Sequence, residues 1–309
     1  MSAPSSPVPA GVRVRVPAKI NLALCVGAPR ADGFHPLATV YQAVSLFDEV
    51  HAAWGDPGEF SVTVTGEGAA EVPTDDRNLA VRAARLLADR YGEGQPLGVV
   101  LAIHKAIPVA GGLAGGSADG AAALLACADL WALDVSLDQM LSLAAELGSD
   151  VPFALLGGTA LGSGRGEQVA PVLGRGSYHW VLGFGRTGLS TPAVYRTYDE
   201  LRPDAPVPEV PDDLMVALRS GDAVRLGRAL VNDLQEPALH LQPQLRRTLE
   251  TGLEYGALGA IVSGSGPTCA FLAKSEASAI DLCVALTADG VVRTARRATG
   301  PVPGARLIS

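Results

Sequence analysis

Pro108-Val109-Ala110-Gly111-Gly112-Leu113-Ala114-Gly115-Gly116-Ser117 is the stretch that decides how this chain is read. Four glycines fall within six residues, and the loop runs into an Ala/Leu-rich helix predicted over 117–133. Glycine reaches positive φ and lets a ligand approach the main chain closely. Successive N–H groups and the positive end of the following helix then favour an anion, a phosphate above all. The loop is not a Walker A sequence, because no lysine precedes Ser117, and it is not G-x-G-x-x-G, because Leu113 stands where the second glycine would be. A glycine cluster taken alone is equally a flexible turn ahead of a helix.

Outward from the loop, hydrophobic spacing predicts strands over 12–16, 37–50, 60–64 and 97–103, an apolar stretch over 18–26 that continues from the first, and a helix over 79–91 led in by Asp75-Asp76-Arg77-Asn78. After the loop come a second helix over 137–147, stopped by Gly148, and a glycine-rich seam over 157–166. Beyond it the pattern predicts strands over 180–184, 259–262, 269–273 and 291–295, with helices over 212–219, 222–231, 243–255 and 278–288. Helices and strands alternate in both halves. That predicts an α+β protein of two domains, 12–160 and 161–309, facing each other across a cleft, with a disordered tail over 1–11.

Composition narrows the classes. The chain has 309 residues, 48% hydrophobic and 18% charged, enough for a sizeable core. A net charge of −8 argues against nucleic-acid or membrane partners, yet leaves room for one anionic ligand held locally by backbone N–H groups. Cys25, Cys127, Cys269 and Cys283 are scattered and sit in apolar runs, so reduced buried thiols in a cytoplasmic protein are expected rather than zinc or disulfides. The opening residues lack the basic start and apolar core of a signal peptide, and no apolar run reaches membrane-spanning length.

The loop's pattern, Pro-x-x-x-Gly-Leu-x-Gly-Gly-Ser, resembles the nucleotide loop of the GHMP kinase superfamily. Pro17-Ala18-Lys19-Ile20-Asn21-Leu22, Asp32-Gly33-Phe34-His35 and Leu147-Gly148-Ser149-Asp150-Val151-Pro152-Phe153 narrow that resemblance. They are similar to the branch whose substrate is an alcohol carrying a cytidine diphosphate. Ser263-Gly264-Ser265-Gly266-Pro267-Thr268 resembles the superfamily's third motif, and the likeness runs in order over about residues 12–297. It implies a ribosomal-protein-like N-terminal domain and a ferredoxin-like C-terminal domain. It further implies ATP with Mg²⁺ in the cleft and direct in-line phosphoryl transfer, in non-mevalonate isoprenoid precursor synthesis. A homoserine- or mevalonate-type kinase, or a nucleotide-binding regulator without turnover, are the alternatives. Ala114 and Ala118 stand where the family loop is richer in Gly and Ser; the missing hydroxyl at Ala118 leaves the metal ligands unassigned.

The resemblance carries roles to particular residues. Asp150 would accept the substrate hydroxyl's proton with Lys19 beside it, since an ammonium keeps a neighbouring carboxylate ionised and polarises the attacking oxygen. Read singly, Asp150 is an N-cap before Val151-Pro152 and Lys19 a surface lysine. Asn21, two residues on, projects to the same strand face as Lys19 and is expected to bind the substrate or that lysine. The nucleotide is expected on Pro108, Val109, Ala110, Gly111, Gly112, Leu113, Ala114, Gly115, Gly116, Ser117 and Ala118, with Lys105 near it. Phe34, His35, Thr191 and Tyr195 are expected to hold the cytosine. The alternatives are core aromatics and a turn histidine. Asp119 is read as structural, because a carboxylate facing a triphosphate would repel it.

Overall fold

The computed structural model describes residues 11–309, so ten of the eleven residues of the expected tail lie outside the described residues, and Gly11 already opens a strand. In chain order the elements begin with β1 (Gly11–Val26), β2 (Leu37–Trp54), β3 (Phe60–Gly66), α1 (Leu79–Tyr91), β4 (Val99–Lys105), α2 (Gly115–Leu130), α3 (Leu137–Leu147), α4 (Val151–Leu156), β5 (Thr159–Ser163) and β6 (Gln168–Pro171). They continue with β7 (Tyr178–Phe184), α5 (Thr191–Leu201), α6 (Asp212–Ser220), α7 (Ala223–Ala229), β8 (Val231–Asn232), α8 (Gln235–Leu241) and α9 (Gln244–Glu254). The last are β9 (Gly259–Val262), β10 (Cys269–Ala273), α10 (Glu276–Ala288), β11 (Thr294–Gly300) and β12 (Arg306–Ile308).

Two sheets result. The larger follows the order β12-β1-β2-β4-β3, with β5 added to β2, β6 to β5 and β8 to β1. The smaller is antiparallel, ordered β11-β7-β10-β9. The strand expected over 12–16 and the apolar stretch over 18–26 form one strand, because Pro17 is absorbed at a register shift against β2; a residue without an N–H is tolerated at such a bulge. Past that shift Ala18, Ile20 and Leu22 point into the core, fully buried, so the alternating Lys19 and Asn21 must face the other side of the sheet.

The expected seam between residues 160 and 161 is corrected: it falls inside β5, where Ala160 pairs with Tyr41 of β2 and Leu161 with Val40. The chain leaves the first sheet after β6, and it returns twice, through β8 and β12, which both pair with β1. The helix predicted to start at residue 117 starts at Gly115, so two loop glycines form its first turn. The strand expected over 291–295 is shifted to β11, because Val292 turns into the apolar cluster beneath α9 and α10 instead of pairing. All four cysteines are free. Burial pushes the Cys127 thiol up and the Cys269 thiol up to about 12, so both stay protonated. No described helix is long and apolar enough to cross a membrane.

Candidate active site

The phosphate loop links β4 to α2. Ala110, Gly112 and Ala114 all take positive φ (53°, 76° and 58°). An alanine held there costs of order 1 kcal/mol, so the surroundings must enforce the shape. They do: a Cβ on Gly112 would fall 2.1 Å from the Ser263 carbonyl oxygen. The Ser263 hydroxyl donates to the Gly112 carbonyl (3.1 Å), the Thr268 N–H to that of Gly111 (3.4 Å) and the Lys19 N–H to that of Leu113 (3.2 Å). The segment from Ser263 to Pro267 therefore buttresses the loop from the second sheet. Ala114 occupies the N-cap of α2 and, lacking a polar side chain, caps nothing. The first N–H groups of a sixteen-residue helix are thus left for a ligand.

A cavity of about 840 Å³ opens over this loop and runs to the far end of the cleft, at the upper end of the range for small-molecule sites. Pro108, Val109, Ala110, Gly111, Gly112, Ala114, Gly115, Gly116 and Ser117 line it. Leu113 and Ala118 do not. The Leu113 side chain is wholly in the core, and the Ala118 N–H is spent on the Ala114 carbonyl (2.9 Å) within the helix.

Lys19 and Asp150 meet in the middle of the cavity, 3.6 Å apart from Nζ to Oδ2. Asp150 sits at the N-cap of α4, but its carboxylate makes no capping hydrogen bond and stays available to the cleft. Lys19 donates to Asn21 Oδ1 (2.7 Å), Asn21 Nδ2 to Thr39 Oγ1 (2.8 Å), and Thr39 to the Ala23 carbonyl (2.6 Å). This chain fixes the ammonium's direction. The Tyr41 ring lies 5.4 Å beneath Lys19, and burial together with the Asp150 carboxylate pushes its phenol well up, so it remains neutral.

Lys105 also lines the cavity, but its ammonium is committed. It donates to Asp48 and to Asp119 Oδ2 (2.6 Å), with all three side chains nearly inaccessible. Asp48 Oδ1 in addition accepts the N–H groups of Ala106 (2.6 Å) and Ile107 (2.9 Å). Burial would lower the Lys105 pKa, yet the two carboxylates outweigh it and the net shift is upward. Asp119 Oδ1 is the one buried side-chain polar atom without a hydrogen-bond partner among the described residues. Burial pushes the Asp119 carboxyl well up, with Lys105 opposing and Asp48 adding to the shift, so a cation would favour its charged form; an unpartnered carboxyl oxygen one turn into α2 beside Ser117 fits a divalent cation. No group of three or more acidic, His or Cys side chains could hold a metal among the described residues, so phosphate oxygens would have to complete its shell.

At the other end of the cavity stand Phe34, His35, Thr191 and Tyr195. Phe34 is 51% exposed, and the Arg165 guanidinium lies over one face of its ring, 4.9 Å from the centroid, which leaves the other face for a ligand. The His35 ring packs against Tyr195 (centroids 4.9 Å apart), and its Nε2 lies 2.7 Å from Asp199 Oδ1. The Thr191 hydroxyl is 2.8 Å from that of Ser265, which ties the start of α5 to the buttress. Sequence reading missed Asp48, Tyr41, Asp199 and Arg165. The first is 57 residues from its lysine and the second lies in an ordinary strand pattern, so neither carried a local signal.

Fold and site together define a GHMP kinase. Residues 78–158 match the family described as "GHMP kinases N terminal domain", and residues 214–292 match "GHMP kinases C terminal". The chain belongs to the 4-diphosphocytidyl-2-C-methyl-D-erythritol kinase family. It is 54% identical to the protein of that name from Nocardia farcinica, covering 98% of both chains, and 54% identical to that from Thermobifida fusca, covering 97% of this chain and 99% of the other. A crystal structure of 4-(cytidine 5'-diphospho)-2C-methyl-D-erythritol kinase superposes with a TM-score of 0.76 at 34% identity, over 94% of this chain and 99% of that one. A homoserine kinase from Cytophaga hutchinsonii shares the fold at a TM-score of 0.74 and 18% identity, over 99% of this chain and all of the other.

Proposed function

We propose that this kinase transfers the γ-phosphate of ATP to the 2-hydroxyl of 4-diphosphocytidyl-2-C-methyl-D-erythritol, a step of non-mevalonate isoprenoid precursor synthesis. The observation that carries the reading is the shared cavity: uncapped helix N–H groups at one end, an open aromatic face at the other, and a Lys–Asp pair between them. Homoserine and mevalonate carry no base to cover an exposed Phe34.

In this reading the N–H groups of 115–117 and the loop main chain grip the triphosphate. Asp150 takes the proton of the alcohol as the oxygen attacks phosphorus. Lys19, aimed by Asn21, holds the attacking oxygen and the transferring phosphoryl group in line and offsets their charge. Tyr41 closes the floor beneath Lys19 against water. Magnesium, when bound, supplies further neutralisation of the phosphate charge, and Asp119 Oδ1 and the Ser117 hydroxyl are the side-chain oxygens that would hold it. The Phe34 ring stacks on the cytosine, worth about 1–3 kcal/mol by analogy with single-strand base stacking, while His35, oriented by Asp199, reads its edge.

The test is ADP release by the full chain with Mg²⁺ and ATP, with and without the cytidine-bearing alcohol, and with CDP as competitor. Release that depends on the alcohol and is inhibited by CDP against the alcohol is expected. Turnover on homoserine or mevalonate without effect of CDP would replace this reading by the sister-kinase one.

A further inference from the structure

We infer that Arg165 binds the diphosphate of the cytidine substrate and so makes this site discriminate a nucleoside diphosphate from a bare nucleoside. The inference rests on the substrate reading above and adds a residue to it.

The argument begins with the turn between β5 and β6, residues 164–167. It is tied at both ends to opposite parts of the cleft. The Gly164 carbonyl accepts the N–H of Leu37 (2.8 Å), three residues after Phe34 and thus at the base end. The Gly166 carbonyl accepts the Tyr41 hydroxyl (3.5 Å), beneath Lys19 and thus at the catalytic end. Gly166 takes φ 106°, and a Cβ there would lie 2.3 Å from the Tyr41 hydroxyl and 3.7 Å from the Cβ of Ser149, the neighbour of Asp150. Arg165 is the residue between these anchors. Its guanidinium stands 4.9 Å from the Phe34 ring centroid, and its side chain lines the cavity. A ligand with its base on Phe34 and its alcohol between Lys19 and Asp150 has to lay its diphosphate across this turn.

Charge bookkeeping selects the same residue. Lys19 is engaged by Asp150 and Asn21, and Lys105 by Asp48 and Asp119. Arg165 has only Glu167 Oε2 at 4.0 Å from its Nε, at the limit of an ion pair, and that carboxylate oxygen already accepts the Arg165 backbone N–H (2.6 Å). A planar guanidinium with five donors, 37% exposed and loosely paired, is suited to two adjacent phosphates. The cleft's other arginine, Arg196, pairs with no carboxylate among the described residues but follows Tyr195 on α5, off the turn that joins the two ends.

The experiment titrates cytidine, CMP and CDP into the full chain by calorimetry, for the parent, Arg165→Ala, Arg165→Lys and Arg196→Ala. Affinity in the parent should rise from cytidine to CDP. Arg165→Ala should leave cytidine unchanged and weaken CDP about tenfold or more, the scale of hydrogen bonds to a charged group, and Arg165→Lys should recover part of it. The extra affinity of CDP should fade with salt in the parent, a readout that needs no variant. Equal losses for cytidine and CDP would mean that Arg165 only supports Phe34. A loss confined to Arg196→Ala would move the subsite to α5. No gain from cytidine to CDP in the parent would overturn the inference while leaving the base site standing, whereas no binding of cytidine or CDP at all would remove the substrate reading itself.

Discussion

Two lysines face the same cleft, and each has carboxylates for neighbours, yet the two arrangements are opposites. Lys105 is tightly paired: two buried carboxylates grip its ammonium, and Asp48 spends its other oxygen on two main-chain N–H groups. The three groups pin both roots of the phosphate loop, since Lys105 precedes it and Asp119 follows it on α2. Lys19 instead meets one carboxylate at 3.6 Å, beyond hydrogen-bonding distance, and Asp150 is 28% exposed. A gap of that size between an ammonium and a carboxylate is where a hydroxyl can enter and bond to both. The tight cluster is a fixture of the fold; the loose pair is a place for chemistry.

The sharpest break of that comparison is Asp150→Asn. Because the carboxylate caps no helix and holds Lys19 only loosely, the amide should fold as the parent does. Turnover should fall by about 10²–10⁴, the range for losing a general base, with ATP affinity nearly unchanged. Steady-state rates and calorimetry with ATP measure the two halves. Unchanged turnover would remove Asp150 from the chemistry.

Asp48→Asn probes the other lysine and should give the inverse pattern. Removing one partner of a buried ionic cluster costs about 3–5 kcal/mol, and the lower end is expected because Asp119 still holds Lys105. Denaturant titration reads the stability, and KM for ATP should rise through a slackened loop while kcat for bound substrates changes little. A variant as stable as the parent would show that Lys105 does not anchor the loop through Asp48.

The same contrast explains what the sequence reveals. The phosphate loop, Lys19, Asn21 and Asp150 lie in short contiguous motifs, and α3, β9 and β10 match the spacing of their apolar residues and their caps. The helix start is less legible: the sequence places it at residue 117, whereas the helix begins at Gly115 behind an Ala114 that can cap nothing. Asp48 is not legible: in the strand pattern it is one acidic residue at the end of an apolar run, and its partner Lys105 is reached only by pairing β2 with β4. Arg165 and Asp199 act from a turn and a helix brought to the cleft by packing. Lys105 shows the limit most plainly. Next to the nucleotide loop it reads as a cation for phosphate; folding brings it two carboxylates that occupy two of its three N–H donors, although it still lines the cavity. The seam placed at residue 160 fails for a related reason, because glycine density marks turns, while the edge of a sheet is set by pairing partners such as Tyr41 and Ala160.

The smallest effect distinguishes the cluster by pH. The Lys105 pKa is raised in the folded protein above its ordinary 10.5. A lysine shifted upward adds stability that is complete below its unfolded pKa and is lost as pH climbs through the folded one, with a slope of at most about 1.4 kcal/mol per pH unit for one proton. Buried tyrosines shifted upward, Tyr41 and Tyr198 among them, erode stability in the same direction above pH 10, so the parent curve alone does not isolate Lys105. The difference between the parent and Asp48→Asn does. The variant keeps those tyrosines but loses one of the two carboxylates that lift the lysine, so Lys105 should add less to its alkaline decline, and the stability gap to the parent should narrow as pH rises past about 10.5. Denaturation midpoints from pH 8 to about 11 give the two curves. Curves offset by a constant, with no narrowing of the gap at high pH, would mean that Asp48 stabilises through its bonds to Ala106 and Ile107 and not through the charge of Lys105.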